Sequence, residues 1–189
     1  MSGRRRESIA ERRERRQAVD DPAVVLEAAA RFLEARARSV AEVRRRLTSA
    51  GYRRELVEDA ITRLLELGML DDAAFAKAWI DSRDRARPRG ERALTEELRL
   101  RGVDRELISA ALEERRIHAA EAAEPDGDAP SADEAAAERL LARNAPALER
   151  VADPRARRQR AYALLARNGF DPGVCATMSA RLVDRVEAD

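Results

Sequence analysis

The sequence has few of the residues on which active sites, metal centres and membrane spans depend. One cysteine and one histidine are present, so a disulfide framework and a metal site of cysteine and histidine ligands are excluded. No apolar run approaches the ~20 residues that span a bilayer, and the charged N-terminus lacks the apolar core of a signal peptide. The sequence therefore predicts a cytoplasmic, monomeric protein with no catalytic residue, no cofactor and no membrane partner.

Aromatic residues make up only 3% of the chain, while 39% of the residues are charged and the net charge is +1. So few aromatic rings argue against recognition of bases by stacking. Alanine, leucine and glutamate are abundant and lose little entropy in a helix, whereas alternating strand-forming residues are missing. These features predict an all-α protein.

Three stretches of the chain align with one another without a gap. They read LTSAGYRRELVEDAI (47–61), LRLRGVDRELISAAL (98–112) and LARNGFDPGVCATMS (165–179). In each, a leucine precedes a glycine by four residues, and an apolar residue follows the glycine. A glycine at this place can adopt the left-handed conformation that ends a helix, so each stretch indicates a helix, a tight turn and a second helix. A further amphipathic helix precedes each stretch, which predicts an elongated tandem array of three three-helix repeats.

The predicted organisation has five segments. Residues 1–21 form a basic tail, disordered or marginally helical. The repeats span 22–69, 70–116 and 131–189, and an acidic linker occupies 117–130. In an alternative, the last helix of the second repeat continues through Ala123 and breaks at Pro125. Repeats of this kind are also similar to helix-turn-helix DNA readers, so an array that binds duplex DNA as a transcription regulator remains an alternative function.

Arginine clusters recur beside the second helix of each repeat. One is Arg44, Arg45 and Arg46, a second follows Trp79 in WIDSRDRARPRG (79–90), and a third comprises Arg155, Arg157, Arg158 and Arg160. Such a stripe could follow a phosphate backbone or an acidic protein surface. Solvated helix faces are the alternative reading of these clusters.

Residues 70–103, LDDAAFAKAWIDSRDRARPRGERALTEELRLRGV, closely resemble the signature of the RecX family of bacterial RecA regulators. The stretch FLEARARSVAEVRRRLTSAGY (32–52) resembles the first repeat of that family. The resemblance implies a non-enzymatic protein that lodges in the groove of the RecA–DNA filament. It implies inhibition of strand exchange and of ATP hydrolysis by RecA, and hence a role in DNA repair, homologous recombination and the SOS response.

On this interpretation RecA is the partner, with weak, sequence-indifferent contact to single- or double-stranded DNA. The residues expected to contact RecA or DNA are Arg44, Arg45, Arg46, Arg83, Arg87, Arg89 and Arg92. Arg83 and Arg89 match the family signature, whereas Arg87 does not and ranks lower. The residues expected to form the structural core of the signature are Phe75, Trp79, Pro88, Gly90, Leu94, Leu98 and Gly102.

Overall fold

Helices account for all the regular secondary structure of the described residues. The computed structural model describes residues 8–121 and 130–188, with side chains up to residue 183. Ten α-helices and no strand lie in these ranges, which confirms the predicted all-α fold. The helices are α1 (Ile9–Gln17), α2 (Pro22–Glu34), α3 (Val40–Ala50), α4 (Arg54–Glu66), α5 (Asp72–Ala86), α6 (Glu91–Leu100), α7 (Arg105–Glu121), α8 (Ala132–Glu149), α9 (Pro154–Arg167) and α10 (Pro172–Ala188). None of these described helices is long and apolar enough to cross a membrane.

The chain divides into two compact units. The N-terminal unit runs up to Phe75 and includes Arg101–Val103, and the C-terminal unit comprises Ala76–Leu100 and everything from Asp104 onward. Each predicted repeat contains three helices, namely α2–α4, α5–α7 and α8–α10. The unit boundary falls inside α5, so the bounds of the repeats as domains stay a prediction.

The N-terminal unit follows from helix signals that the sequence contains. Asp21 caps α2 ahead of Pro22, and Ser39 caps α3 in a capping box with Glu42. Gly51 ends α3 in the left-handed conformation, with φ of 106°. The amphipathic faces of α2, α3 and α4 then meet in one core, whose fully buried members include Val25, Val43, Val57 and Leu64.

The C-terminal unit contains a second such core, formed by α8, α9 and α10. Its buried members include Ala136, Leu141, Leu165, Phe170 and Cys175. Two positions of the third repeat, where the pattern has apolar residues, carry alanine and serine. Ala161 is fully buried, and the buried Ser179 donates its hydroxyl hydrogen to the Ala176 carbonyl at 3.2 Å. A small buried side chain and a satisfied hydroxyl are therefore tolerated there.

The turn glycines serve for packing as well as for helix termination. In the N-terminal unit, Gly102 has φ of +78°, and a Cβ atom built on it would lie 2.4 Å from Ala41 Cβ. In the C-terminal unit, Gly169 has φ of +81°, and its Cβ would lie 2.4 Å from Ala93 Cβ. Only glycine fits both the backbone conformation and the close approach at these turns.

The residue before each of these two glycines is held by a hydrogen bond. Its backbone carbonyl accepts from a group outside the turn. Ser39 Oγ donates to the Arg101 carbonyl at 2.6 Å in the N-terminal unit, and the Gly90 amide donates to the Asn168 carbonyl at 3.1 Å in the C-terminal unit. Ser39 and Gly90 each precede the second helix of a repeat, so one helix start supports the turn of the next repeat.

The described part of the basic tail is helical, which is one of the two expected outcomes. Residues Ile9–Gln17 form α1, which begins with a capping box between Ser8 and Glu11. Arg16 donates to the Ala50 carbonyl at 3.3 Å, and Arg13 lies against the Gly51 turn. Helix α1 therefore covers the first turn glycine as a helix start covers the later ones. Residues 1–7 of the predicted tail lie outside the described residues.

The predicted linker is helical at its start. Helix α7 continues to Glu121. The alternative prediction, in which this helix extends through Ala123, is thus closer than the prediction that it ends at residue 116. The residues at 117–121 include two alanines and a glutamate, which favour helix. Residues 122–129, including Pro125, lie outside the described residues. Ser131 then opens α8 through a capping box with Glu134.

Candidate binding surfaces

The three arginines of α3 have different environments. Arg44 makes a bidentate ion pair with Glu58 of α4, with both N–O distances at 2.8 Å. This pairing raises the pKa of Arg44 and lowers that of Glu58. Arg46 lies over the ring of Phe32, 5.6 Å from its centroid, and Arg45 is exposed. Because Glu58 neutralises Arg44, the charge available to a partner comes from Arg45 and Arg46.

In the C-terminal unit, Glu97 of α6 binds the tryptophan and two arginines of the signature. Trp79 Nε1 donates to Glu97 Oε2 at 2.8 Å, and Arg83 Nε donates to the same oxygen at 2.6 Å. Arg83 also stacks on Trp79, 4.4 Å from the ring centroid. Arg89 lies 3.5 Å from Glu97 Oε1 and donates to the side-chain oxygen of Asn168. We call Trp79, Arg83, Arg89 and Glu97 the Glu97 cluster.

The higher-ranked and lower-ranked arginines have different environments. The signature arginines Arg83 and Arg89 are partly buried and bind a carboxylate of their own chain. Arg87, ranked lower, is exposed, as is Arg92 on α6. Neither has a carboxylate at ion-pair distance among the described residues. The motif therefore identified arginines that hold the α5–α6 loop, and the exposed charge lies beside them.

Trp79 was expected in the core, but the structure leaves it partly exposed at the surface. The buried position is the next residue, Ile80, which is 2% exposed. The indole N–H needs a polar partner, and Glu97 supplies one at the surface. Leu94 and Leu98 are fully buried as expected, and Phe75, in the N-terminal unit, is 5% exposed.

The proline and the two glycines of the signature lie in tightly packed positions. Pro88 is fully buried in the loop between α5 and α6. A Cβ atom built on Gly90 would lie 2.4 Å from the Gly169 carbonyl oxygen. Gly102 lies against Ala41 in the N-terminal unit, as described above. Pro88 and Gly90 therefore fix the backbone of the α5–α6 loop that carries Arg87.

A second polar cluster of the C-terminal unit, centred on Arg115 of α7, was not predicted from the sequence. The side chain of Arg115 is 6% exposed and binds Asp84 at 2.9 Å and Asp133 at 2.7 Å. It also donates to the carbonyls of Ala132 and Arg89, at 3.3 and 3.4 Å. We call Arg115, Asp84 and Asp133 the Arg115 cluster. No local pattern marks it, because its members lie on α7, α5 and α8.

Burial acts on the charges of the Arg115 cluster. Burial alone would lower the pKa of Arg115, but the hydrogen bonds with Asp84 and Asp133 outweigh it, and the pKa is raised. Burial raises the pKa of Asp133, although its bond with Arg115 opposes this. The guanidinium thus stays charged and holds two carboxylates in the interior of the unit.

The third arginine cluster lies at the start of α9. Arg157 is buried and donates to the Val151 carbonyl at 3.1 Å. Arg155, Arg158 and Arg160 are exposed. Tyr162 follows on the same helix with 39% of its surface exposed. The sequence marked the arginines, but not which of them face solvent.

Comparison with known proteins gives consistent matches. Two family models match, described as RecX, first three-helix domain (residues 26–64), and RecX, second three-helix domain (residues 71–112). The regulatory protein RecX of Thermobifida fusca is 36% identical over 159 residues, covering 78% of this chain and 78% of that protein. The regulatory protein RecX of Mycobacterium sp. (strain JLS) is 46% identical over 82 residues, covering 43% of this chain and 45% of that protein.

Solved structures share the fold. The crystal structure of RecX from Lactobacillus salivarius matches with a TM-score of 0.66 and 18% sequence identity. The match covers 87% of this chain and 97% of that one. At this identity the likeness speaks for the arrangement of helices alone.

Proposed function

This chain belongs to the RecX family of regulatory proteins, and on that premise we propose that it binds the RecA filament on DNA and inhibits it. It inhibits by occupying the surface of the RecA filament, and it catalyses no reaction itself. RecA is the partner, and DNA in the filament is a weaker, sequence-indifferent contact. The outcome is reduced strand exchange and reduced ATP hydrolysis by RecA.

The observation that supports a binding role is the division of the predicted arginines into two groups. Arg44, Arg83 and Arg89 are held by Glu58 or Glu97. The other four are exposed and have no carboxylate at ion-pair distance among the described residues. These four are Arg45, Arg46, Arg87 and Arg92. A guanidinium that remains exposed can form bidentate contacts with a partner's carboxylates or phosphates.

Rigid support strengthens this proposal. Arg87 lies in a loop whose buried Pro88 and ion-paired Arg89 fix the backbone on one side. Arg45 and Arg46 project from α3, whose start and end are capped by Ser39 and Gly51. Side chains on fixed backbone lose less freedom when they bind.

The test uses RecA's DNA-dependent ATPase and its strand exchange, measured with stoichiometric amounts of the purified protein. The wild-type chain should inhibit both reactions. Two double variants, R45E/R46E and R87E/R92E, should relieve the inhibition, because each reverses two exposed charges. The matched control is R31E/R63E, which reverses two exposed arginines on α2 and α4 and should inhibit like the wild type. If the wild-type chain leaves both reactions unchanged, the proposal is refuted.

The same preparations address a transcription regulator that reads duplex DNA. Binding is measured against two unrelated duplex sequences over a salt series, without RecA. The proposal predicts weak affinity that falls steeply with salt and is equal for the two sequences. A tenfold preference for one duplex would instead favour direct readout of its bases.

A further inference from the structure

Helix α9 carries an exposed aromatic ring in line with two exposed arginines. Arg155, Arg158 and Tyr162 follow one another at spacings of three and four residues, which places them on one face of the helix. Together with Gln159 they form one wall of a groove of about 420 Å³. The other wall is α10, where the small residues Ala176 and Ser179 leave the groove open. This groove uses none of the arginines assigned above to RecA binding.

No carboxylate among the described residues neutralises the charge of this groove. Helix α9 contains no acidic residue. The guanidinium groups of Arg155 and Arg158 form no ion pair among the described residues. Elsewhere in the unit, Arg115 and Arg116 are each held by two carboxylates. The two arginines of the groove are therefore free to meet an anionic partner.

The exposed ring narrows the choice of that partner. Tyr162 is 39% exposed in a chain with only six aromatic residues. An anionic partner alone would need only the two guanidinium groups. A flat aromatic face beside them also suits an unpaired base, because bases stack on aromatic side chains while arginines track the backbone. In a duplex the bases are stacked on one another, and a ring at a groove wall cannot reach their faces.

We infer that the α9–α10 groove binds single-stranded nucleic acid, with Arg155 and Arg158 against the phosphates and one base stacked on Tyr162. Gln159 lies between them and can donate to or accept from a base edge. Ala176 and Ser179 bring no large side chain into the groove, so there is room for the base. The site reads no particular sequence, since every base offers a face for stacking. It thereby adds a stacking contact that the shortage of aromatic residues had argued against.

The test measures fluorescence anisotropy of a labelled oligothymidylate with the full chain and no RecA. Tyr162→Ala should weaken binding about tenfold, whereas Tyr162→Phe, which keeps the ring, should bind like the wild type. Arg158→Ala should lower the slope of log affinity against log salt by about 0.7, the value for one phosphate contact on a single strand. Arg160→Ala is the matched control, since Arg160 is exposed on the same helix but does not line the groove. It should change affinity less than about twofold and leave the slope unaltered.

Four outcomes would overturn the inference. Tyr162→Ala could bind the oligothymidylate as well as the wild type does, or it could lose as much affinity for a duplex of the same length. Polyglutamate could also displace the oligonucleotide as efficiently as unlabelled oligothymidylate does, which would indicate an acidic protein partner. As a measurement on the wild-type chain, an oligonucleotide with 5-iodouracil should cross-link to Tyr162 under ultraviolet light. Cross-links found only outside α9 and α10 would contradict the site. Because no RecA is present, failure here leaves the proposed function standing.

Discussion

Replacing Arg115 with methionine should destabilise the protein far more than the same replacement at the neighbouring Arg116. Arg115 is the buried cation of its cluster, and methionine of similar length removes the charge without a large loss of volume. Two carboxylates, Asp84 and Asp133, then remain in the interior with side-chain exposures of only 20% and 13%. Breaking a buried pair by removing one partner costs about 3–5 kcal/mol, because the remaining charge is uncompensated.

The structure places the expected loss at the lower end of that range, at about 3 kcal/mol. Both carboxylates keep some contact with water, and Arg139 remains 3.7 Å from Asp84. Arg116 also binds two carboxylates, Glu91 and Glu113, but half of its side chain is exposed. Arg116→Met should therefore lose only about 0–1 kcal/mol.

The assay is urea unfolding followed by circular dichroism at pH 7 for the wild type and both variants. Arg115→Lys provides a second comparison and should lie between wild type and Arg115→Met, because an ammonium cannot reach all four acceptors at once. Equal losses for Arg115→Met and Arg116→Met would refute the reasoning. So would a fully stable Arg115→Met chain, since it would mean that the two carboxylates do not depend on the guanidinium.

The same variant carries a pH signature of its own. Burial raises the folded-state pKa of Asp133, and without the guanidinium the hydrogen bond from Arg115 that lowers this pKa is lost. A carboxyl with a raised folded pKa contributes more stability as the pH falls and it becomes protonated. The deficit of Arg115→Met relative to wild type should therefore narrow between pH 7 and about pH 4. A deficit that is constant over this range would point to lost packing and not to unpaired charge.

Three further predictions follow from the packing. Gly102→Ala should lose at least about 2 kcal/mol more than Gly68→Ala in urea unfolding, because both glycines have positive φ but nothing lies within 4 Å of a Cβ built at Gly68. Burial raises the pKa of the Cys175 thiol above its ordinary value of 9.0, so a thiol reagent should label this residue only in denaturant. Stability should also fall as the pH rises above about 9, where the unfolded thiol ionises and the folded one does not. Labelling of the native chain would contradict both statements. Glu97→Ala should cost about 1–2 kcal/mol and change Trp79 fluorescence, and an unaltered emission spectrum would argue against the hydrogen bond between them.

Local sequence signals predicted much of this fold. The all-α class and the turn glycines depend on residues within one turn of each other. Helix α1 was missed as a stable element because its anchor lies far away in sequence. Arg16 reaches the carbonyl of Ala50, 34 positions later, and no local pattern reports such a contact.

The candidate surfaces were only partly accessible to sequence reasoning. The pattern located the arginine clusters but could not distinguish Arg83, which binds Glu97, from Arg87, which does not. An exposed and a neutralised arginine have the same letter and similar spacing, and only the fold places a carboxylate beside one of them. For the same reason the sequence did not predict a binding role for Tyr162, because the groove beside it forms only when α10 packs next to α9.

By itself, then, the sequence determined where helices begin and end and which glycines turn the chain. These properties depend on backbone conformation and on hydrogen bonds between near neighbours. The tertiary structure decided which charges are free, which are neutralised, and which glycine also serves as a contact. Those properties depend on groups brought together from distant helices, as Asp84, Arg115 and Asp133 are, and their energies are set by burial that no single segment contains.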